Sequence, residues 1–143
     1  MFETKTKKYE KIEDPGIRSF LQEGDAFYPV DAVKFTMAEQ RAFYDRYCAH
    51  FRKPRPDSIE TKDLSFASVP CRQYSRRGSS GAPVMIYLHG GGYVVGGLDS
   101  HDDVCAEIAD TAGIDVIAVD YRLAPEHPFP AAFEDGWAVL QHV

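Results

Sequence analysis

An apolar run that ends in three consecutive glycines constrains the fold of this chain more than any other feature. Residues 83–89 read PVMIYLH, and glycine occupies positions 90, 91 and 92. A nearly continuous apolar run of this length is typical of a strand that is covered on both faces, as in a parallel sheet. Glycine reaches left-handed backbone conformations that other residues avoid. The sequence therefore predicts a buried strand followed by a tightly turning loop.

The residues after this loop predict a repeating pattern of strand and helix. Residues 99–113, DSHDDVCAEIADTAG, predict a helix that Asp99 or Ser100 caps and Gly113 ends. Its expected buried stripe consists of Val104, Ile108 and Ala112. Residues 114–122, IDVIAVDYR, predict a second buried strand. Strand, helix and strand in this order indicate a right-handed βαβ crossover and a parallel sheet.

A second helix is expected from residues 128–143, PFPAAFEDGWAVLQHV, with Pro130 in its first turn. Its expected apolar side comprises Phe133, Trp137, Leu140 and Val143. No glycine or proline ends this helix before Val143, so we expect an incomplete domain. Two central strands cannot cover their own faces and edges, so the first strand should have an open edge.

The N-terminal third predicts two helices and a strand pair. A short helix is expected from about Pro15 to Glu23, ended by Gly24. Thr36 and Glu39 form the capping-box pattern of a second helix. Its aromatic residues recur at helical spacing and indicate a packing face: Phe43, Tyr44, Tyr47 and Phe51. Residues 57–75 alternate enough to predict two strands broken near Pro70.

Composition excludes several classes of protein. The 143 residues carry a net charge of −6, whereas a nucleic-acid binder usually presents a basic face. No apolar run approaches the ~18 residues of a membrane span, and the polar start does not resemble a secretory signal. The three cysteines, Cys48, Cys71 and Cys105, are an odd and scattered set. They fit reduced thiols in the cytoplasm better than a disulfide framework or a zinc site.

The glycines suggest a site for a carbonyl oxygen. Ligands of open α/β sheets bind at the carboxyl ends of strands, where Gly90, Gly91 and Gly92 stand. Their N–H groups could converge on one point, as an oxyanion hole requires, while His89 holds the loop by bonding to the backbone. A phosphate loop fits less well, because Gly90, Gly92 and Val95 leave the dinucleotide fingerprint without its third glycine. A merely flexible turn is the remaining alternative.

Three stretches then indicate a family. HGGGY at 89–93 resembles the HGGG motif of lipases and esterases. DSHDDVCAEIA at 99–109 and VDYRLAPEHPFPAAFED at 119–135 are similar to the stretches that follow it in the hormone-sensitive-lipase-like branch of the α/β-hydrolases. The resemblance covers about residues 60–143 and extends only loosely to the N-terminal helices. Gly97 departs from the family, which usually has a small polar residue there.

The resemblance implies an α/β fold. The chain would form the N-terminal part of an α/β-hydrolase fold, which has a mostly parallel sheet with crossover helices. This part would be incomplete and preceded by cap-like helices. Residues 1–55 would form the cap-like segment. Residues 56–143 would form the N-terminal part of the catalytic domain, ending before the nucleophile elbow.

The resemblance also assigns roles to residues. Gly91 and Gly92 would supply oxyanion N–H groups, Gly90 would shape the turn, and Tyr93 would lie near the acyl pocket, with His89 as scaffold. Residues 121–130 would brace the strand exit and helix start through Tyr121, Arg122, Pro125, Glu126, Pro128 and Pro130. No catalytic role is expected for Glu126 or His127.

The catalytic serine itself is missing from the sequence. A G-x-S-x-G elbow does not occur in the 143 residues, and GSSG at 78–81 has the wrong spacing. We therefore expect no catalytic triad residue in this chain, and a Ser, Asp and His triad beyond Val143. Ser100 and His101 are neighbours in sequence and are not expected to face each other.

These observations lead to one main hypothesis and three alternatives. The main hypothesis is a carboxylic-ester hydrolase for short or medium acyl esters, with no cofactor or metal, of which this chain alone is inactive. The alternatives are a non-catalytic binding protein for small molecules, a non-functional remnant, and one half of a split esterase that a complementing C-terminal polypeptide completes. The open strand edge predicts marginal stability and self-association.

Overall fold

A computed structural model describes residues 9–27 and 31–143 of the chain. Its elements, in chain order, are α1 (Pro15–Phe27), a short 3-10 turn (Ala32–Lys34), α2 (Met37–Phe51), β1 (Ile59–Phe66), β2 (Val69–Arg76), β3 (Val84–Leu88), α3 (Asp102–Ala112), β4 (Asp115–Val119) and α4 (Ala131–Leu140). Residues 1–8 and 28–30 of the expected cap-like segment lie outside the described residues.

The four strands form one mixed sheet in the order β1-β2-β4-β3. β3 and β4 are parallel and joined through α3, which confirms the predicted strand–helix–strand unit. β1 and β2 form an antiparallel hairpin, and β2 also pairs antiparallel with β4. The turn of the hairpin lies at Ala67 and Ser68, both at positive φ, whereas Pro70 belongs to β2. The predicted break near Pro70 is therefore slightly misplaced.

β3 lies at the edge of the described sheet, where β4 is its one partner. Val84 is 48% and Leu88 53% exposed, while residues 116–119 of β4 are all buried. The expectation of a strand covered on both faces is thus correct for β4 and wrong for β3. The expected open edge of β3 is present in the part of the chain described.

The N-terminal helices pack on each other through aromatic rings. The Thr36–Glu39 capping box begins α2 as predicted. Helix α1 does not end at Gly24 but continues to Phe27. Gly24 is buried, and a Cβ there would lie 3.2 Å from the Tyr47 ring, so this glycine serves close packing between helices rather than termination. Phe20 of α1 packs on Phe51 of α2 at 4.8 Å between ring centroids.

Helix α3 is rotated by about one residue from the predicted orientation. Its buried face is Asp102, Cys105, Ala106 and Ala109, whereas Val104 and Ala112 are exposed. Small side chains let the helix lie close to the sheet, and ion pairs satisfy the carboxylate of Asp102. Neither Asp99 nor Ser100 caps the helix, since His101 occupies the N-cap position without a side-chain cap. Gly113 ends it in the left-handed conformation, as predicted.

Helix α4 turns its expected apolar side outward. Phe133, Trp137 and Leu140 are each more than half exposed, whereas Ala131, Asp135 and Val139 are buried. The helix ends at Leu140, three residues before Val143. The exposed apolar side chains of α4 lie beside the open edge of β3, so they flank a surface rather than fill a core.

Helix length and polarity also bear on membrane insertion. Across residues 9–27 and 31–143, each helix falls short of what crossing a bilayer would require.

Candidate active site

The glycine loop, residues 89–97, leaves β3 at its carboxyl end and adopts left-handed backbone conformations. Gly91 has φ 122°, Gly92 has φ 62° and Tyr93 has φ 64°. Gly90 lies outside this region of φ. The loop therefore uses left-handed backbone at Gly91 and Gly92 but not at Gly90, and Tyr93 and Gly96, the latter with φ 95°, share this conformation.

Close backbone contacts explain two of the loop's glycines. A Cβ on Gly91 would lie 2.0 Å from the carbonyl oxygen of Val95, and a Cβ on Gly96 would lie 2.6 Å from Nδ1 of His89. No side chain can occupy either position without moving the backbone or the buried ring. Gly92 has no atom within 4 Å of a Cβ, so only its positive φ favours glycine.

Hydrogen bonds close the loop on itself at the carbonyl of Gly91. The carbonyl of Gly91 accepts hydrogen bonds from the N–H groups of Val94 and Val95, each at 3.1 Å. Among the described residues, no group accepts a hydrogen bond from the N–H of Gly91 or Gly92. Two unpaired donors on adjacent left-handed residues can receive one oxygen ligand.

His89 lies under the loop as a buried, neutral brace. Its side chain contacts the carbonyl of Gly90 through Nδ1 at 2.8 Å, and its ring stacks on that of Tyr121 at 4.2 Å between centroids. A carbonyl can only accept, so Nδ1 carries the proton. Burial lowers the pKa of His89, so the ring stays neutral at pH 7. Its Nε2 is buried without a hydrogen-bond partner among the described residues.

Tyr121 ties the loop to the end of β4. Its hydroxyl donates to the carbonyl of His89 at 2.6 Å. Burial raises the pKa of Tyr121 to about 12, so this donor keeps its proton. Since β3 and β4 are neighbours in the sheet, the bond fixes the start of the glycine loop to the adjacent strand.

Ser100 and His101 do form a hydrogen bond, contrary to the sequence-based prediction. Ser100 Oγ lies 2.9 Å from His101 Nδ1. The argument from helix geometry failed because both residues precede α3, in non-helical backbone. Ser100 Oγ also accepts from the N–H of Gly97 and lies 2.9 Å from its carbonyl oxygen, so the serine closes a turn of the loop.

An apolar cavity of about 940 Å³ opens beside the loop. Gly90, Gly92 and Tyr93 form one side of it, and Tyr121 and His127 also line it. Its remaining wall is largely apolar and comes from β3, α4 and the segment before α4: Ile86, Leu88, Phe129, Phe133, Trp137 and Leu140. The cavity can therefore take an apolar group whose polar end reaches the loop.

The segment between β4 and α4 is held by charged contacts. Arg122 donates from its backbone N–H to Asp135 at 2.8 Å and also pairs with that carboxylate through its guanidinium. Glu126 pairs with Arg41 of α2. Sequence reasoning missed Arg41, because its partner lies 85 residues away and no motif marks it. It gave no role to Asp135, although Asp135 and Arg122 both lie in the stretch 119–135.

Comparisons with known proteins agree with this architecture. Residues 85–143 match a family model described as alpha/beta hydrolase fold. The chain is 37% identical over 133 residues to the carboxylic ester hydrolase LipN of Mycobacterium tuberculosis, covering 89% of this chain and 35% of LipN. It is similar to a crystal structure of an esterase from the bacterial hormone-sensitive lipase family, with TM-score 0.74 and 36% identity over 86% of this chain and 39% of that one. The chain belongs to the hormone-sensitive-lipase-like branch of the α/β-hydrolases.

This α/β-hydrolase chain has a higher identity to another relative over a shorter stretch. It is 63% identical over 62 residues to the ethyl acetate hydrolase of Pseudomonas putida, covering 40% of this chain and 20% of that protein. The chain spans less than half the length of each of these three proteins.

Proposed function

We propose that this chain supplies the oxyanion loop of a carboxylic-ester hydrolase that acts on short or medium acyl esters. One observation carries the proposal: Gly91 and Gly92, just after β3, have N–H donors without an acceptor among the described residues, and Gly92 lines the apolar cavity. An ester presents a carbonyl oxygen for the donors and an acyl chain for the cavity. The esterase names of the relatives support the same reaction class.

In the proposed reaction, Gly91 and Gly92 stabilise the negative charge that develops on the carbonyl oxygen during acyl transfer. Such donors act because they are fixed before the charge appears. His89 and Tyr121 would hold the loop, and Tyr93 would border the acyl group. Gly90 would shape the turn, and a Cβ there would meet only an ordinary contact with His101 Nε2 at 3.5 Å.

The nucleophile and its base are proposed to come from outside the 143 residues. Ser100 is a poor nucleophile in this geometry, because its hydroxyl is engaged by both backbone groups of Gly97. The open edge of β3 and the exposed apolar face of α4 support a complementing C-terminal polypeptide segment as partner. Residues 9–55 would then form part of a cap and residues 56–143 part of the catalytic domain.

Two samples test the proposal. The first is the 143-residue chain alone, treated with a fluorophosphonate that labels activated serines and measured by intact mass. The second is a fusion in which the chain replaces the aligned part of LipN, assayed with p-nitrophenyl butyrate. We expect no label on the chain and hydrolysis by the fusion.

Single substitutions test the roles of Gly91 and Ser100 in these two experiments. Gly91→Ala keeps its N–H, but its Cβ cannot fit against the carbonyl of Val95, so the donor is displaced. We expect kcat of the fusion to fall by about 10²- to 10³-fold, the usual effect of losing one oxyanion donor. Ser100→Ala should leave fluorophosphonate labelling of the fusion intact. A label on the chain that disappears in Ser100→Ala would locate a nucleophile within the chain. A folded fusion that binds the ester without hydrolysing it would favour the non-catalytic binding protein.

A further inference from the structure

Arg41 of helix α2 makes four hydrogen bonds to two loops that lie far from it in sequence. Its Nε donates to the carbonyl of Val94 at 2.8 Å, and its Nη2 donates to the carbonyl of Ala124 at 2.9 Å. The guanidinium also forms a two-point pair with Glu126, at 3.1 and 2.6 Å. The Arg41 side chain is 27% exposed, so solvent competes weakly for its two bonds to the carbonyl oxygens, whereas Glu126 is 51% exposed.

The two carbonyl oxygens that Arg41 joins belong to the candidate site. Val94 follows the left-handed residues of the glycine loop, and its N–H donates to the carbonyl of Gly91. Ala124 lies in the segment after β4, and its N–H donates to the carbonyl of Tyr93 at 2.8 Å. Arg41 therefore donates hydrogen bonds to two segments that are also joined by the hydrogen bond between Ala124 and Tyr93.

The loop needs such a bond because its conformation is strained. Tyr93 is a bulky residue at positive φ, and its side chain is 65% exposed, with the Tyr121 ring 6.1 Å away between centroids. Strained backbone of this kind persists only where surrounding contacts over-determine it. The planar guanidinium fork suits the task, since it can donate in fixed directions to several acceptors, which a lysine ammonium cannot do.

We infer that Arg41 is a positioning residue, which holds the glycine loop in its oxygen-binding conformation from the N-terminal helices. The importance of this role for catalysis rests on the proposed function. The hydrogen bonds of Arg41 to the carbonyls of Val94 and Ala124, called here the Arg41 bridge, do not depend on it. The Arg41 bridge gives α2 a direct connection to the oxyanion loop, so that displacement of this helix would loosen the loop. The essential contacts are those to Val94 and Ala124, and the pair with Glu126 aligns the fork.

Amide hydrogen exchange of the 143-residue chain, followed by NMR, tests the inference without any ester. In Arg41→Gln we expect the N–H groups of Val94, Val95 and Ala124 to exchange at least tenfold faster and the resonances of Gly91 and Gly92 to shift. Amides of β4 should keep their wild-type rates. Arg46→Gln is the matched control. Arg46 lies on the same helix, and its guanidinium lies 4.3 Å from the centroid of the Phe43 ring, also on that helix.

Two conservative variants separate the bridge from the charge. Arg41→Lys keeps the positive charge near Glu126 but cannot span both carbonyls, so its exchange should be as fast as that of Arg41→Gln. Glu126→Gln keeps both carbonyl contacts, so its exchange should stay within about threefold of wild type.

Two results would overturn the inference: unchanged exchange at the three loop amides in Arg41→Gln, or an equal acceleration of the β4 amides, which would show only general destabilisation. Either result leaves the esterase assay unaffected, and a failed esterase assay leaves the exchange result standing.

Discussion

At the scale of single residues, the glycine loop shows that adjacent glycines serve different purposes. Gly91 and Gly96 stand where a Cβ would collide with the loop's own backbone or with His89, whereas Gly92 is needed only for its positive φ. Gly90 has neither constraint within the described residues. The glycine positions of this loop therefore tolerate a side chain to different degrees. The stability of alanine variants can rank them.

Alanine at Gly91 and at Gly90 should have different effects on folding. Gly91→Ala combines left-handed strain, about 1–3 kcal/mol, with a clash against the carbonyl of Val95. Gly90→Ala meets only an ordinary contact with His101 Nε2 at 3.5 Å, so we expect a loss below about 1 kcal/mol. Urea unfolding of the two variants measures the difference. Equal losses would contradict the described loop geometry.

The buried His89 and the half-buried His101 predict a loss of stability on mild acidification. Burial lowers the pKa of His89 from 6.5, and burial together with the nearby His89 lowers that of His101. As pH falls below 6.5, the unfolded chain gains protons that the folded chain does not, so the free energy of unfolding decreases until the folded histidines also titrate.

Urea midpoints at pH 7.5, 6.5 and 5.5 measure this loss. His89→Asn keeps a donor for the Gly90 carbonyl and should flatten the dependence. A variant with the wild-type slope would show that other groups are responsible.

At the scale of elements, a buried carboxylate joins helix α3 to the sheet and to the segment after α2. Asp102, with a side chain 4% exposed, pairs with Arg55 at 2.6 Å and Arg72 at 3.3 Å and accepts from the hydroxyl of Tyr74 at 2.9 Å. Because Arg55 follows α2, Arg72 lies in β2 and Asp102 begins α3, one carboxylate fixes three parts of the fold.

Removing that carboxylate should be more costly than removing an exposed one. Asp102→Ala leaves the buried Tyr74 hydroxyl without its acceptor, whereas Arg72 keeps Asp63 and Asp99 as partners. Leaving a buried polar group unsatisfied typically costs about 1–3 kcal/mol. Asp99→Ala is the matched control, since Asp99 also pairs with Arg72 but is 77% exposed, and about 0–1 kcal/mol is expected. Urea unfolding measures both. Losses of similar size would mean that the Asp102 cluster is not a centre of stability.

At the scale of the whole molecule, the sheet has an apolar, open side. β3 lacks a second partner among the described residues, and Leu88, Phe133 and Trp137 are exposed beside it. Edge strands with apolar surroundings favour association between chains. The same surface is where the proposed complementing segment would lie.

The isolated chain should therefore self-associate, and charge at this surface should oppose it. We expect Leu88→Lys to raise the dissociation constant at least tenfold in sedimentation-velocity experiments over a concentration series. Ile17→Lys is the control, because Ile17 is equally exposed, at 54%, but lies on α1. A wild-type chain that stays monomeric at all concentrations, or equal effects of the two variants, would contradict this prediction.

Local signals were sufficient to predict the capping box of α2, the αL end of α3, the crossover between two parallel strands and the family of the chain. Each depends on contacts within a few residues or on a contiguous motif, so the sequence alone determines it. The roles of the glycines were only partly predictable, because the collision at Gly91 depends on where the loop folds back onto Val95.

The tertiary structure alone decided the features that depend on distant partners. Helix α1 continues through Gly24 because Tyr47 of α2 packs there, and the buried face of α3 is set by Arg55 and Arg72, which satisfy Asp102. The Arg41 bridge spans 53 residues to Val94 and 83 to Ala124. Periodicity reports which faces are apolar, but the free energy of a buried charge depends on partners that only the assembled fold brings within hydrogen-bond distance.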